Sequence, residues 1–313
     1  MLALSASDIA EHNPSPASPE LECVAMSHRI KAIASLNDAI GKPLESIEQG
    51  NAMIATCFSL LFQSTLIDDG LVEYMTFIRG VLVVSMHMGQ KNIGFLFEHM
   101  FDQAQVVASE LTDSPLIDPE LAGRACRSLE QLSPLVKNPR EVEFYGYLLS
   151  TARALFTSSQ DGTHLSFRSL TPLFSLPCFI SSHSYSPTAT NRTPIAYSNL
   201  AKIYALFSYF MSHEEFAFFI DPTNEAGKLL QAHFAALQLI MTPFTRRETI
   251  GSQNTRSPQS RDGTTARWLV SLHNIKPEMK IYYEWPIWVQ QEVQARRLKL
   301  HWDQYVTSSE EDG

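Results

Sequence analysis

The sequence predicts an all-α protein, a multi-helix bundle with long mobile loops, and three observations carry that prediction. Apolar residues recur at helical spacing in segment after segment, and no segment sustains the period-two alternation of a half-buried strand. A capping residue followed by proline marks a helix start, because proline's missing N–H costs nothing in the first turn. That signal recurs at Ser18-Pro19, Asp118-Pro119, Asn138-Pro139, Thr193-Pro194 and Asp221-Pro222. Residues 50–88, the densest apolar stretch, are divided by Asp68-Asp69-Gly70 into two amphipathic halves, the pattern of a helical hairpin.

Taken in order, residues 2–11 place Leu2, Ala6 and Ile9 on one helical face, and a second helix runs from Ser18 to Ile40, where Gly41 ends it. In the hairpin the expected buried faces are Ile54, Phe58, Leu61, Phe62 and Thr65, then Tyr74, Phe77, Ile78, Val81, Leu82 and Ser85. Gly70 is expected between them for the backbone dihedrals it tolerates. Further helices are predicted over residues 93–112, 119–136, 139–158, 195–212 and 223–242, and Glu141 is placed to close a capping box on Asn138. Segments 181–193 and 245–263 are poor in apolar residues and rich in Ser, Thr, Arg and Pro, which makes them mobile loops. The folded part beyond Ala266 holds all four tryptophans, and residues 304–313 form an acidic disordered tail, so residues 1–303 read as a single domain.

Composition removes several classes of function. A net charge of -9 has the wrong sign for a body that neutralises phosphates, so direct nucleic-acid contact is not expected. The longest unbroken apolar runs, Val81–Val84 and Phe216–Ile220, fall far short of the ~20 residues a bilayer crossing needs, so no membrane span is expected. The four cysteines, Cys23, Cys57, Cys126 and Cys178, are widely scattered and read as free thiols rather than as metal ligands or redox pairs.

Candidate chemical residues each have a structural explanation. Asp68-Asp69 with Glu73 invites comparison with aspartate-rich magnesium sites, but Val72 occupies the position where a same-face carboxylate belongs, and helix capping accounts for the pair. His213-Glu214-Glu215 lacks the second histidine of a zinc helix and reads as a helix end, with His213 complementing the C-terminal dipole. Met86-His87-Met88 reads as core methionines flanking a polar residue rather than a copper site. No nucleophile elbow, phosphate-binding loop, dinucleotide fingerprint or C-x-x-C is present, so neither a catalytic nor a cofactor site is expected. Arg79 stands apart. In an apolar helix beside Gly80 its guanidinium needs a carboxylate or helix C-terminal carbonyls as acceptors, and it reads either as such an anchor or as a residue that polarises a ligand.

Several strings bear a resemblance beyond periodicity: residues 2–10, residues 32–37, Phe58-Ser59-Leu60-Leu61-Phe62-Gln63-Ser64, Phe77-Ile78-Arg79-Gly80, residues 229–237, and Tyr282-Tyr283-Glu284-Trp285-Pro286. Together they resemble the regulatory region of fungal zinc binuclear cluster transcription factors, in particular the subgroup that includes sterol uptake control proteins. The resemblance implies a helical domain that senses a sterol-like or other hydrophobic ligand and acts on RNA polymerase II transcription. It would work through the transcription machinery or co-regulators, as a homodimer, in the nucleus after cytoplasmic residence until activation. The six-cysteine cluster of that family is missing from this sequence, which implies either an absent upstream segment or a cluster-less relative. An aromatic face of Phe58, Phe62, Phe77, Val81 and Phe97, with Arg79 as its polar group, is the expected ligand pocket; a filled core is the other expectation for the same residues. An α-helical enzyme acting on a prenyl or sterol-like substrate is the competing function.

Overall fold

The computed structural model describes residues 2–12, 18–67, 69–94, 96, 117, 119–157, 193–241, 268–269 and 276–294. Among them 83% are helical and no strand occurs, so the fold is all-α. Ten α-helices follow in order: α1 Leu2–His12, α2 Ser18–Ile40, α3 Ile47–Ser64, α4 Leu71–Gln90, α5 Pro119–Leu132, α6 Pro139–Thr157, α7 Thr193–Ala205, α8 His213–Phe219, α9 Glu225–Ile240 and α10 Lys280–Gln294. A π turn, Leu206–Phe210, extends α7, and a 3-10 turn, Pro277–Met279, leads into α10. The predicted helix over 93–112, the loops 181–193 (save Thr193) and 245–263, the tail 304–313, and Asp68, Phe97, Cys178 and Trp302 lie outside the described residues or, for 93, 94 and 96, outside any helix.

Two apolar cores share one helix. The first gathers Leu36 and Leu44, Met53, Ile54, Cys57, Leu60 and Leu61 of α3, and Phe77, Val81, Val84 and Met88 of α4. The second is larger, built from α5 to α10, and takes Leu71 and Met75 from the start of α4. Tyr74 and Ile78 pack against both. By length and composition α4 could cross a membrane, a property the count of unbroken apolar runs does not register because Glu73 and Arg79 interrupt it. Here its buried apolar side chains are divided between two protein cores, while Val83 and Met86 are exposed.

At the centre of the second core lies α9. From Gly227 to Ile240 its residues are buried apart from Lys228 and Gln238, as expected of a helix that is apolar all round. Phe234 gathers the rings of Phe144, Tyr204 and Phe207 at centroid distances of 5.8, 5.6 and 6.2 Å. Its N-cap is Asn224, whose side chain accepts from the Gly227 amide; Asp221-Pro222, the predicted start, instead forms a turn in which the Asp221 carboxylate accepts from Thr223. Glu141 does not turn back toward Asn138. It is buried and accepts from Asn224 at 2.7 Å, joining the start of α6 to the cap of α9.

The hairpin is present: the expected α4 face is buried at Phe77 and Val81 and packed at Tyr74 and Ile78, whereas the α3 face is rotated from the expected one. In α3 the buried positions are Gly50, Asn51, Met53, Ile54, Cys57, Leu60, Leu61, Gln63 and Ser64, while Phe62 is 40% exposed. In α1 the residue turned inward is Ala3, and Leu2 and Ile9 lie outside. Both helices are apolar enough around most of their circumference that spacing leaves the inward direction undetermined. Gly70 has an ordinary helical φ of -70°, so dihedral tolerance does not explain it. A Cβ at that position would sit 1.9 Å from the Ser64 carbonyl oxygen; glycine is required because the α3–α4 turn closes on itself.

Candidate functional site

The hairpin is held by a polar cluster in the first core. Arg29, in register with the buried positions Ala25 and Leu36 of α2, is itself 1% exposed. Its Nη1 donates to the Gln63 side-chain oxygen at 2.9 Å and the Leu60 carbonyl at 3.4 Å, and its Nη2 donates to the Glu73 carboxylate. The guanidinium carbon lies 5.4 Å from the Phe77 ring centroid. Gln63 passes the connection on, donating to Ser7 Oγ at 3.0 Å and to the Ala3 carbonyl at 3.4 Å. Four helices, α1 to α4, thus meet on one arginine and one glutamine. A buried guanidinium is tolerated only when its donors are filled in this way.

Arg79 forms the second polar anchor of α4. Half-buried, it donates to the Phe207 carbonyl in the π turn at 2.9 Å and lies 5.2 Å from the Phe216 ring centroid. Burial lowers its pKa and the nearby Glu215 carboxylate opposes that shift. Glu215 is committed elsewhere, accepting from Arg140 at 3.0 Å and from the Ser212 amide at 2.7 Å. Ser212 Oγ in turn accepts from the Glu215 amide, completing a capping box that starts α8. His213 therefore opens a helix instead of closing one, and the signal for it, Ser212-x-x-Glu215, is plain in the sequence. Gly80 faces α3, where the Cys57 sulfur lies 3.3 Å from the place of a Cβ.

The residues of the expected pocket separate. Phe77 and Val81 are buried in the first core, with Phe58 packed partly against it. Phe62 stacks on Phe58 at 6.4 Å but faces outward, Arg79 points to the second core, and Phe97 lies outside the described residues. No group of three or more potential metal-ligating side chains is gathered among the described residues. Asp69 is exposed.

A third buried group joins α5 to α9. Ser128 Oγ and His233 Nε2 are 2.8 Å apart, and His233 Nδ1 lies 2.8 Å from the Leu229 carbonyl. A carbonyl only accepts, so Nδ1 carries the proton and Nε2 accepts from the serine hydroxyl. The spacing is that of a nucleophile and its base. Yet His233 has no exposed surface, it stacks on Trp285 at 5.5 Å, and burial pushes its pKa down to about 4, which makes it a weak proton acceptor. The arrangement is a satisfied core contact. Cys57 and Cys126 are likewise inert, each raised to about 11 chiefly by burial.

Comparisons with family models, with characterised proteins and with solved structures find no match to this chain.

Proposed function

We propose that this chain is a regulatory helical domain of the kind carried by fungal zinc binuclear cluster transcription factors, acting on transcription through partners and responding to a hydrophobic, sterol-like ligand at the α3–α4 hairpin. The supporting observation is the position of α4, whose apolar residues belong to both cores and whose two charged groups, Glu73 and Arg79, are each committed to a different one. A ligand that seats better against one placement of α4 shifts the equilibrium toward it, and the second core receives that shift directly. The aromatic side chains Phe58 and Phe77 supply the apolar contact surface for such a ligand.

The test joins the full chain to an unrelated DNA-binding module and measures reporter transcription with and without sterols, alongside thermal unfolding of the purified chain with the same compounds. Ligand-dependent transcription together with a concentration-dependent rise in melting temperature supports the proposal. Unchanged transcription and unchanged melting across sterols and other lipids overturn it, as does magnesium-dependent turnover of a prenyl diphosphate.

A further inference from the structure

Among the described residues, Leu206–Phe210 is where helical hydrogen bonding slips into the π register. A π turn is an α-helix with one residue inserted, so returning it to α bonding turns everything that follows by ~100° and moves it by ~1.5 Å. Three observations indicate that this register is held from outside the segment. The Phe207 carbonyl takes its donor from Arg79 of α4, while the following amides go elsewhere, Met211 to the Leu206 carbonyl at 3.0 Å and Ser212 to the Glu215 carboxylate at 2.7 Å. The hydroxyl of Ser208, 1% exposed, finds no hydrogen-bond partner in this register, although helical serines commonly bond the carbonyl one turn back. The Phe216 ring, in the first turn of α8, rests against the same guanidinium.

We infer that the π turn is a register switch latched by Arg79. Withdrawing the guanidinium removes the donor to Phe207 and favours α bonding, which reorients the turn and the entry to α8. Phe207, Ser208 and Met211 repack within the core, and the side chains displaced on the surface are Tyr209 and Phe210, 38% and 41% exposed, which meet edge to face at 5.0 Å. Motion of α4 is the input, and the presentation of this aromatic pair is the output. The switch deepens the regulatory reading, resting on its assignment of α4 as the shared element, but it makes no use of a ligand or of transcription. Its failure is therefore separable from failure of the ligand and reporter tests.

Amide hydrogen exchange across residues 206–216 of the full chain tests it, in the wild type, Arg79→Met, Arg79→Lys, a deletion of Ser208, and the deletion combined with each substitution. Arg79→Met is expected to speed exchange by about tenfold or more, because a turn released from its latch alternates between π and α bonding and its amides are unpaired at each change, with Arg79→Lys between it and the wild type. Removing Ser208 takes out the inserted residue, so the segment is expected to stay protected and to lose its response to either substitution. Should Arg79→Met fail to fold, Arg79→Lys carries the same comparison. Exchange that is indifferent to Arg79, or a response of equal size after the deletion, overturns the inference. A deletion variant that cannot fold overturns it as well, because the α register is then not accessible.

Discussion

Single residues in this protein matter most where a charge is enclosed. Glu73→Gln leaves the Arg29 guanidinium buried with only neutral acceptors, whereas Arg29→Met leaves a Glu73 carboxylate whose side chain is 42% exposed and can reach water. Urea unfolding is expected to show a loss of about 3 kcal/mol for Glu73→Gln and a smaller one for Arg29→Met, with the double variant recovering part of the first loss. A double variant as unstable as the sum of the two would contradict this. His233 supplies a second case. Its folded pKa of about 4 lies below the ordinary 6.5, so its stabilising contribution is complete above pH 6.5, drains away as the pH falls and is gone near pH 4. Stability should fall across that window with an added slope of about 1.4 kcal/mol per pH unit. His233→Gln should remove that added slope, whatever it does to stability at neutral pH.

Elements are decided by what stands at their ends and where neighbours approach. The cap-and-proline signal locates α2, α5, α6 and α7, but not α9, because at Asp221 the carboxylate is consumed by its own turn and Asn224 caps the helix. Glycines show the same division between local and tertiary causes. Gly146 lies inside α6 with open space around it, so Gly146→Ala should stabilise the protein by about 1 kcal/mol through helix propensity alone. Gly70→Ala, at an equally ordinary φ, should cost about 2–3 kcal/mol because its methyl group would overlap the Ser64 carbonyl. Thermal unfolding of the two variants gives opposite signs if the contacts, rather than the dihedrals, are in control.

At the scale of the molecule the two cores are bound into one unit by α4 and by the Trp268 indole, which donates to the Ser64 carbonyl at 3.4 Å. The tryptophans Trp268, Trp285 and Trp288 all sit in or against the second core, so in a Trp302→Phe variant the fluorescence reports that core while far-ultraviolet circular dichroism reports every helix. The two signals should trace one coincident transition in urea. Fluorescence that changes at a different midpoint would mean that α4 does not couple the cores.

The helices were legible because their causes are local: spacing, caps and proline positions act within a turn or two of chain, and the all-α class, the hairpin and the break at Asp68-Asp69-Gly70 follow from them. Arg29 carried a readable signal too, an arginine in line with Ala25 and Leu36, yet its partners Gln63 and Glu73 are 34 and 44 residues away. Which side of α3 faces inward, why Gly70 cannot be alanine, and that Arg79 serves a carbonyl 128 residues distant were settled only by tertiary contact. Spacing fixes the relative positions of side chains on one helix, whereas the direction in which that helix turns is set by the surfaces of the others packed against it.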